Sequence, residues 1–233
     1  MNVAVISAVI FDKDGTLFDF RQSWGGWTKA LIAALAPYAR GDLAQVLGFD
    51  AATLSFRSDS PVIAATMYEI AATIHPHLTG MSLTALQDMM NTLGTVAPMT
   101  PAVDLSAVLT GLKSRGLRLG LATNDTEAPA RAHLTAAGVI GLFDFIAGCD
   151  SGYGGKPAPG QLLAFARLIG VAPQHIAMVG DSLHDLDAAR AAGMKAVGVL
   201  TGPALRETLA PHAEVVLGTI AELGAWIDGL DRA

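Results

Sequence analysis

The sequence predicts an α/β protein: a parallel sheet sandwiched between helices, with a small all-helical domain inserted after the first strand. Three observations predict it. From residue 96 onward, short Val/Ile/Leu-rich runs alternate with longer stretches of helical spacing, the pattern of parallel crossovers. Between 18 and 95 the chain is Ala-, Leu- and Met-rich and shows no strand-like run. Polar residues of complementary chemistry stand where the strands end. The expected division is residues 1–17 and 96–233 for the core and 18–95 for the insert.

Taken in order, Val3 to Phe11 reads as a strand buried on both faces, since it is rich in Val and Ile and lacks clean alternation. In the insert, Trp27 to Ala39 predicts a helix stopped near Arg40-Gly41, and Leu43 to Leu47 a short second one. Pro61 to Ile74 predicts a third, with Asp59 or Ser60 as N-cap and Pro61 in the first turn. Leu83 to Leu93 predicts a fourth, capped by Ser82. Residues 96–101 read as a return linker stiffened by Pro98 and Pro101.

The core then alternates. Helices are predicted over Ala102–Arg115, Glu127–Ala137, Pro159–Ile169, His184–Ala192 and Ile220–Leu230. Strands are predicted over Leu117–Ala122, Phe143–Ala147, Ile176–Val179, Ala196–Leu200 and Val215–Leu217. Glycines 116, 138, 170 and 193 close four of the helices.

Bulk properties bound the function. The 233 residues are 52% hydrophobic and 15% charged, which suits a well-buried core and argues against disorder. Mean hydropathy is +0.44, yet no uncharged run is long enough to cross a bilayer. The net charge of −6 and pI near 5.4 disfavour nucleic acid or an anionic membrane as partner. The opening residues lack the basic start and small-residue cleavage site of a signal peptide. Cys149 is the single cysteine, so no internal disulfide forms. A cytoplasmic protein with a buried, inert thiol is expected.

The chemistry concentrates at four strand ends. Asp12 and Asp14 follow the first strand, with Gly15 allowing a sharp turn. Two carboxylates there are costly to bury without a cation, and strand carboxyl ends are where ligands bind in open parallel sheets. A calcium loop is disfavoured, because Ser23 stands where its Glu is required. Thr123 and Asn124 end the second core strand and can offer a hydroxyl and an amide to an anion, while Asp125 or Thr126 suits a helix N-cap. The Gly154–Pro159 loop presents Lys156, a compact charge suited to phosphate. Its glycine spacing is not that of a Walker loop. Asp181 and Asp185 follow the next strand and offer hard oxygen ligands of the kind Mg²⁺ prefers. His184 reads as a surface side chain.

Together, Asp12-Lys13-Asp14-Gly15-Thr16, Thr123-Asn124, Lys156-Pro157-Ala158-Pro159 and Gly180-Asp181-Ser182-Leu183-His184-Asp185 resemble the haloacid dehalogenase superfamily of phosphotransferases. The insert resembles the small helical cap of its phosphoglycolate phosphatase-like branch. The resemblance implies a Rossmann-like three-layer core beneath a mobile cap. It implies that Asp12 attacks phosphorus to form an aspartyl-phosphate, and that Asp14 protonates the leaving oxygen and then activates water. Gly15, Thr123, Asn124 and Lys156 would hold the phosphoryl oxygens. Mg²⁺ would bind Asp12, the Asp14 backbone carbonyl and Asp181, with Asp185 behind them. Dehalogenases of this superfamily lack the second Asp, so Asp14 favours phosphate chemistry. Lys13 departs from the pattern, since an apolar residue is frequent there in relatives, and Asp19-Phe20 stands where many have Asp-Ser.

The expected activity is therefore Mg²⁺-dependent hydrolysis of a small phosphorylated metabolite. The alternatives are a phosphomutase of the same superfamily and a non-catalytic binding module. A mutase must grip a second phosphate, and the insert has only four basic residues, Arg21, Lys29, Arg40 and Arg57. The module would have lost a catalytic group, and none is lost. Candidates for substrate selection are Arg21, Arg57, Trp24 and Trp27, with Arg21 first because it follows the catalytic loop closely.

Overall fold

The computed structural model describes residues 6–63 and 65–230. It opens with β1 (Ala8–Phe11), buried along its whole length. The predicted strand began at Val3; residues 3–5 lie outside the described residues, and Ile6 and Ser7 precede the strand. The insert contributes α1 (Phe20–Leu35), α2 (Leu43–Val46), β2 (Phe49–Asp50), β3 (Ser55–Phe56), α3 (Met67–Ile74) and α4 (Leu83–Thr95). The core continues with α5 (Leu105–Ser114), β4 (Arg118–Ala122), α6 (Glu127–Ala136), β5 (Phe145–Ala147), α7 (Gly160–Ile169) and β6 (Ile176–Gly180). It closes with α8 (Leu183–Ala192), β7 (Lys195–Val199), α9 (Arg206–Leu209), β8 (Val215–Leu217) and α10 (Leu223–Leu230).

Six strands form one parallel sheet in the order β5-β4-β1-β6-β7-β8. The chain steps outward from β1 through β4 to β5, then returns to the other side of β1 with β6. That reversal leaves a crevice at the carboxyl end of β1. Side chains of β1 alternate between two buried layers. Val9 and Phe11 join Leu105, Leu109, Leu134 and Leu223, from α5, α6 and α10. Ala8 and Ile10 join Leu162, Phe165 and Leu186, from α7 and α8. Each strand is thus covered on both faces, which is why the runs read as continuously apolar.

The insert has its own apolar cluster, in which Phe20, Trp24, Trp27, Leu31 and Leu35 form one stripe of α1. Three expectations are corrected here. The first helix begins seven residues earlier than Trp27, capped by Asp19, whose Oδ1 accepts from the Gln22 N–H at 2.9 Å. The third begins at Met67, capped by Thr66 in a reciprocal box with Glu69, while Pro61 lies in a preceding turn. The insert is not all helical: β2 and β3 pair as a two-residue antiparallel hairpin with Phe49 opposite Phe56. The two connections to the core run side by side, Asp19 N–H donating to Thr100 O at 2.8 Å and Ala102 N–H to Leu17 O at 2.9 Å. No helix among the described residues is long and apolar enough to cross a membrane.

Candidate active site

Register brings the strand ends to one level. Phe11 of β1 pairs with Leu121 of β4 and Val179 of β6. The next residues, Asp12, Ala122–Thr123 and Gly180–Asp181, therefore emerge together into the crevice. Asp12 N–H donates to Val179 O at 2.8 Å, and Thr123 N–H to Ala147 O at 3.0 Å, which fixes both side chains on backbone. Gly15 turns the chain with φ +84°, and a Cβ there would collide with the Asp181 carboxylate. Thr201 Oγ1 donates to Gly15 O at 2.6 Å and pins the turn from β7's far end.

Lys156 sits at the centre. Its Nζ lies 2.6 Å from Asp12 Oδ1, 2.6 Å from Asp185 Oδ1 and 2.8 Å from Ala122 O. Asn124 holds the lysine's loop: its Nδ2 donates to Lys156 O at 2.9 Å, and its Oδ1 accepts from Lys156 N–H at 2.8 Å. Asp185 accepts from the Ser182 hydroxyl and backbone N–H, capping α8. Thr123 is buried, and its Oγ1 accepts the Asp125 N–H.

Electrostatics follow from that crowding. Burial lifts the Asp12 pKa to about 7; Lys156 pulls it back, while Asp185 and Asp14 add to the rise. Burial, then Asp12 and Asp185, raise Asp181 well above the usual carboxylate range. Burial disfavours the Lys156 charge, but Asp12 and Asp185 outweigh it and hold its pKa above the ordinary lysine value. One ligand atom from each of Asp12, Asp181 and Asp185 lies within 4.8 Å of the others. Three buried carboxylates served by one lysine, two of them pushed toward protonation by their own crowding, fit a hard divalent cation.

A second cluster lies beside Asp14. Lys13 is fully buried, and its Nζ donates to Asp125 Oδ2 at 2.7 Å and lies 3.2 Å from Asp14 Oδ2. Burial works against its charge, but Asp125 and Asp14 more than compensate and raise its pKa. His133 Nδ1 is 3.0 Å from Lys13 Nζ, and His133 Nε2 is 2.8 Å from Gly94 O of α4. An ammonium only donates and a carbonyl only accepts, so the imidazole is neutral with its proton on Nε2. Burial first, then Lys13, lower its pKa, in agreement. Sequence reasoning flagged Lys13 only as a departure and missed His133.

The remaining expectations separate. Asp12, Asp14, Thr123, Asn124, Lys156, Asp181 and Asp185 line one open cleft. His184, expected at the surface, lines it too. Trp24 lines it, but Trp27 packs in the insert's core. Arg21 is exposed and does not line it, and Arg57 pairs with Asp59 at 3.0 Å, away from it. Cys149 is half-buried, and burial followed by Asp150 and Asp125 pushes its thiol up to about 12. Iodoacetamide at pH 8 is expected to label it at least about 100-fold more slowly than a free cysteine peptide. Labelling at the peptide's rate would show an accessible thiolate.

The family model for haloacid dehalogenase-like hydrolases matches residues 6–193. This chain belongs to the haloacid dehalogenase-like hydrolases. It is 33% identical over 220 residues to the probable phosphatase IndB of Dickeya dadantii, covering 92% of this chain and 90% of that one. It is 31% identical over 199 residues to a phosphoglycolate phosphatase of Xylella fastidiosa, covering 83% and 80%. The fold is shared with the crystal structure of CbbY from Rhodobacter sphaeroides in complex with phosphate. That match has TM-score 0.72 and 23% identity, and covers 96% of this hydrolase and all of that chain.

Proposed function

We propose that this hydrolase is a Mg²⁺-dependent phosphatase that cleaves the monoester of a small phosphorylated metabolite through an aspartyl-phosphate. The observation that carries the reading is the convergence of Asp12, Lys156, Asp181 and Asp185 at adjacent strand ends within one cleft. The relatives named as phosphatases support it.

Asp12 supplies the nucleophilic oxygen. As its bond to phosphorus forms, the bond from phosphorus to the ester oxygen breaks, and Asp14 gives that oxygen a proton. Asp14 then takes a proton from water, which attacks the phosphorus of the acyl phosphate and returns Asp12 as a carboxylate with inorganic phosphate. Asp14 is placed for this work: it lines the cleft beside Asp12, and Lys13 holds its Oδ2 at 3.2 Å. Lys156 and the Thr123 hydroxyl face the phosphoryl oxygens. Asp12, Asp181 and Asp185 would hold Mg²⁺, which when bound supplies charge that keeps Asp12 ionised and offsets the phosphoryl charge. Asn124 acts by fixing the Lys156 loop. A phosphomutase would need a cationic grip from the insert, and none of its basic residues lines the cleft.

The test is release of p-nitrophenol from p-nitrophenyl phosphate. Release with Mg²⁺ that stops in EDTA and returns on adding Mg²⁺ is the expected result. Equal rates with and without chelator would overturn the metal's part. No release by folded protein, together with no trapping of a phosphoryl analogue at Asp12, would overturn the phosphatase.

A further inference from the structure

The cleft has two unlike walls. The core wall is polar and carries five carboxylates, from Asp12, Asp14, Asp125, Asp181 and Asp185, against the Lys156 ammonium and the His184 ring. The insert's wall is apolar, built mainly from Phe20, Trp24, Val62, Ile63, Met67 and Ile70. Among the described residues, none of Arg21, Lys29, Arg40 or Arg57 reaches it. Lys13 lies behind Trp24, 5.3 Å from its ring, and is committed to Asp125 and Asp14.

From this we infer that the leaving group is an uncharged, largely apolar alcohol, and that Trp24 and Ile63 help select it. The inference rests on the phosphatase reading. Lys156 and the proposed cation serve the transferring phosphoryl group. A second anion on the substrate would lie against aliphatic and aromatic carbon, with the remaining nearby charge mostly negative. Desolvating a carboxylate or second phosphate against that wall meets no compensating cation from the insert. An apolar group instead removes both its own surface and the wall's from water. The phosphoglycolate named for one relative carries a carboxylate, so this wall assigns the present chain a different substrate class.

The experiment compares benzyl phosphate with 4-carboxybenzyl phosphate, whose leaving alcohols are nearly equal in acidity, in the full chain with Mg²⁺. Phosphoglycolate and p-nitrophenyl phosphate run alongside. kcat/KM is expected to favour benzyl phosphate by at least about tenfold, the difference lying mainly in KM. Ile63→Arg, at a half-buried position of the wall, is expected to narrow that ratio at least about fivefold. Its melting temperature checks the fold, and Ile63→Gln, which removes apolar contact but adds no charge, is expected to narrow the ratio less than Ile63→Arg does. Equal or better turnover of the two carboxylates by the wild-type chain, with p-nitrophenyl phosphate hydrolysed, would overturn the inference and leave the phosphatase reading standing. No hydrolysis of any ester would overturn both.

Discussion

Asp12→Asn is expected to lower kcat by at least about 10⁴-fold while the protein stays folded. The amide keeps the shape of the carboxylate but cannot attack phosphorus. Lys156 retains its 2.6 Å partner in Asp185, so the centre does not collapse. The same substitution has an opposite effect on stability. In the metal-free protein Asp12 holds its proton up to about pH 7, against a reference of 3.8. The folded state therefore binds a proton that the unfolded chain has released. Through this group, stability falls as pH rises from about 4 to about 7, and is level above that. Asn carries no such loss. Melting in EDTA should show the variant gaining on the wild type across that window and lying above it at pH 8. A variant that melts below the wild type at pH 8 would mean that the Asp12–Lys156 pair is a net stabiliser of the empty site.

Lys13→Ala is expected to destabilise the fold by about 3–5 kcal/mol, because it leaves buried carboxylate charge without its cation. Domains are stable by about 5–15 kcal/mol, so a large share of the margin goes. Asp125 is the main orphan, with its side chain 2% exposed and its Oδ2 2.7 Å from the missing ammonium. Lys13→Met with Asp125→Asn removes cation and anion together and is expected to recover at least half of the loss in urea unfolding. No recovery would show that Asp14 and His133, rather than Asp125, are what Lys13 serves.

The core was legible because buried strands leave continuous apolar runs, and glycines 170 and 193 close their helices in the left-handed conformation that the residue type announces. The residues that line the cleft could be picked out because they follow apolar strand runs, and register puts those strand ends at one level. The insert was harder. Gly25 and Gly26, poor helix formers, stand inside α1 just ahead of the predicted start at Trp27. Gly25 is there for close approach, as a Cβ would stand 2.9 Å from Leu54 Cβ. Two-residue strands leave no periodicity, so the hairpin was invisible. Thr66-Met67-Tyr68-Glu69 is a capping-box pattern that could have placed α3, but Pro61 drew the start upstream. Arg21 followed the catalytic loop in sequence, yet the turn of α1 carries it to solvent.

The cluster around Lys13 joins positions 112 and 120 residues apart in the chain, and this has a consequence for descent. A lineage that loses Lys13 strands Asp125, and one that gains Lys13 without Asp125 strands an ammonium. Either single step passes through a poorly folded ancestor. Residues 13 and 125 are therefore expected to be inherited as a pair, with His133 following them. Relatives with an apolar residue at 13 should lack the acid at 125, and an alignment of the family could read that history directly.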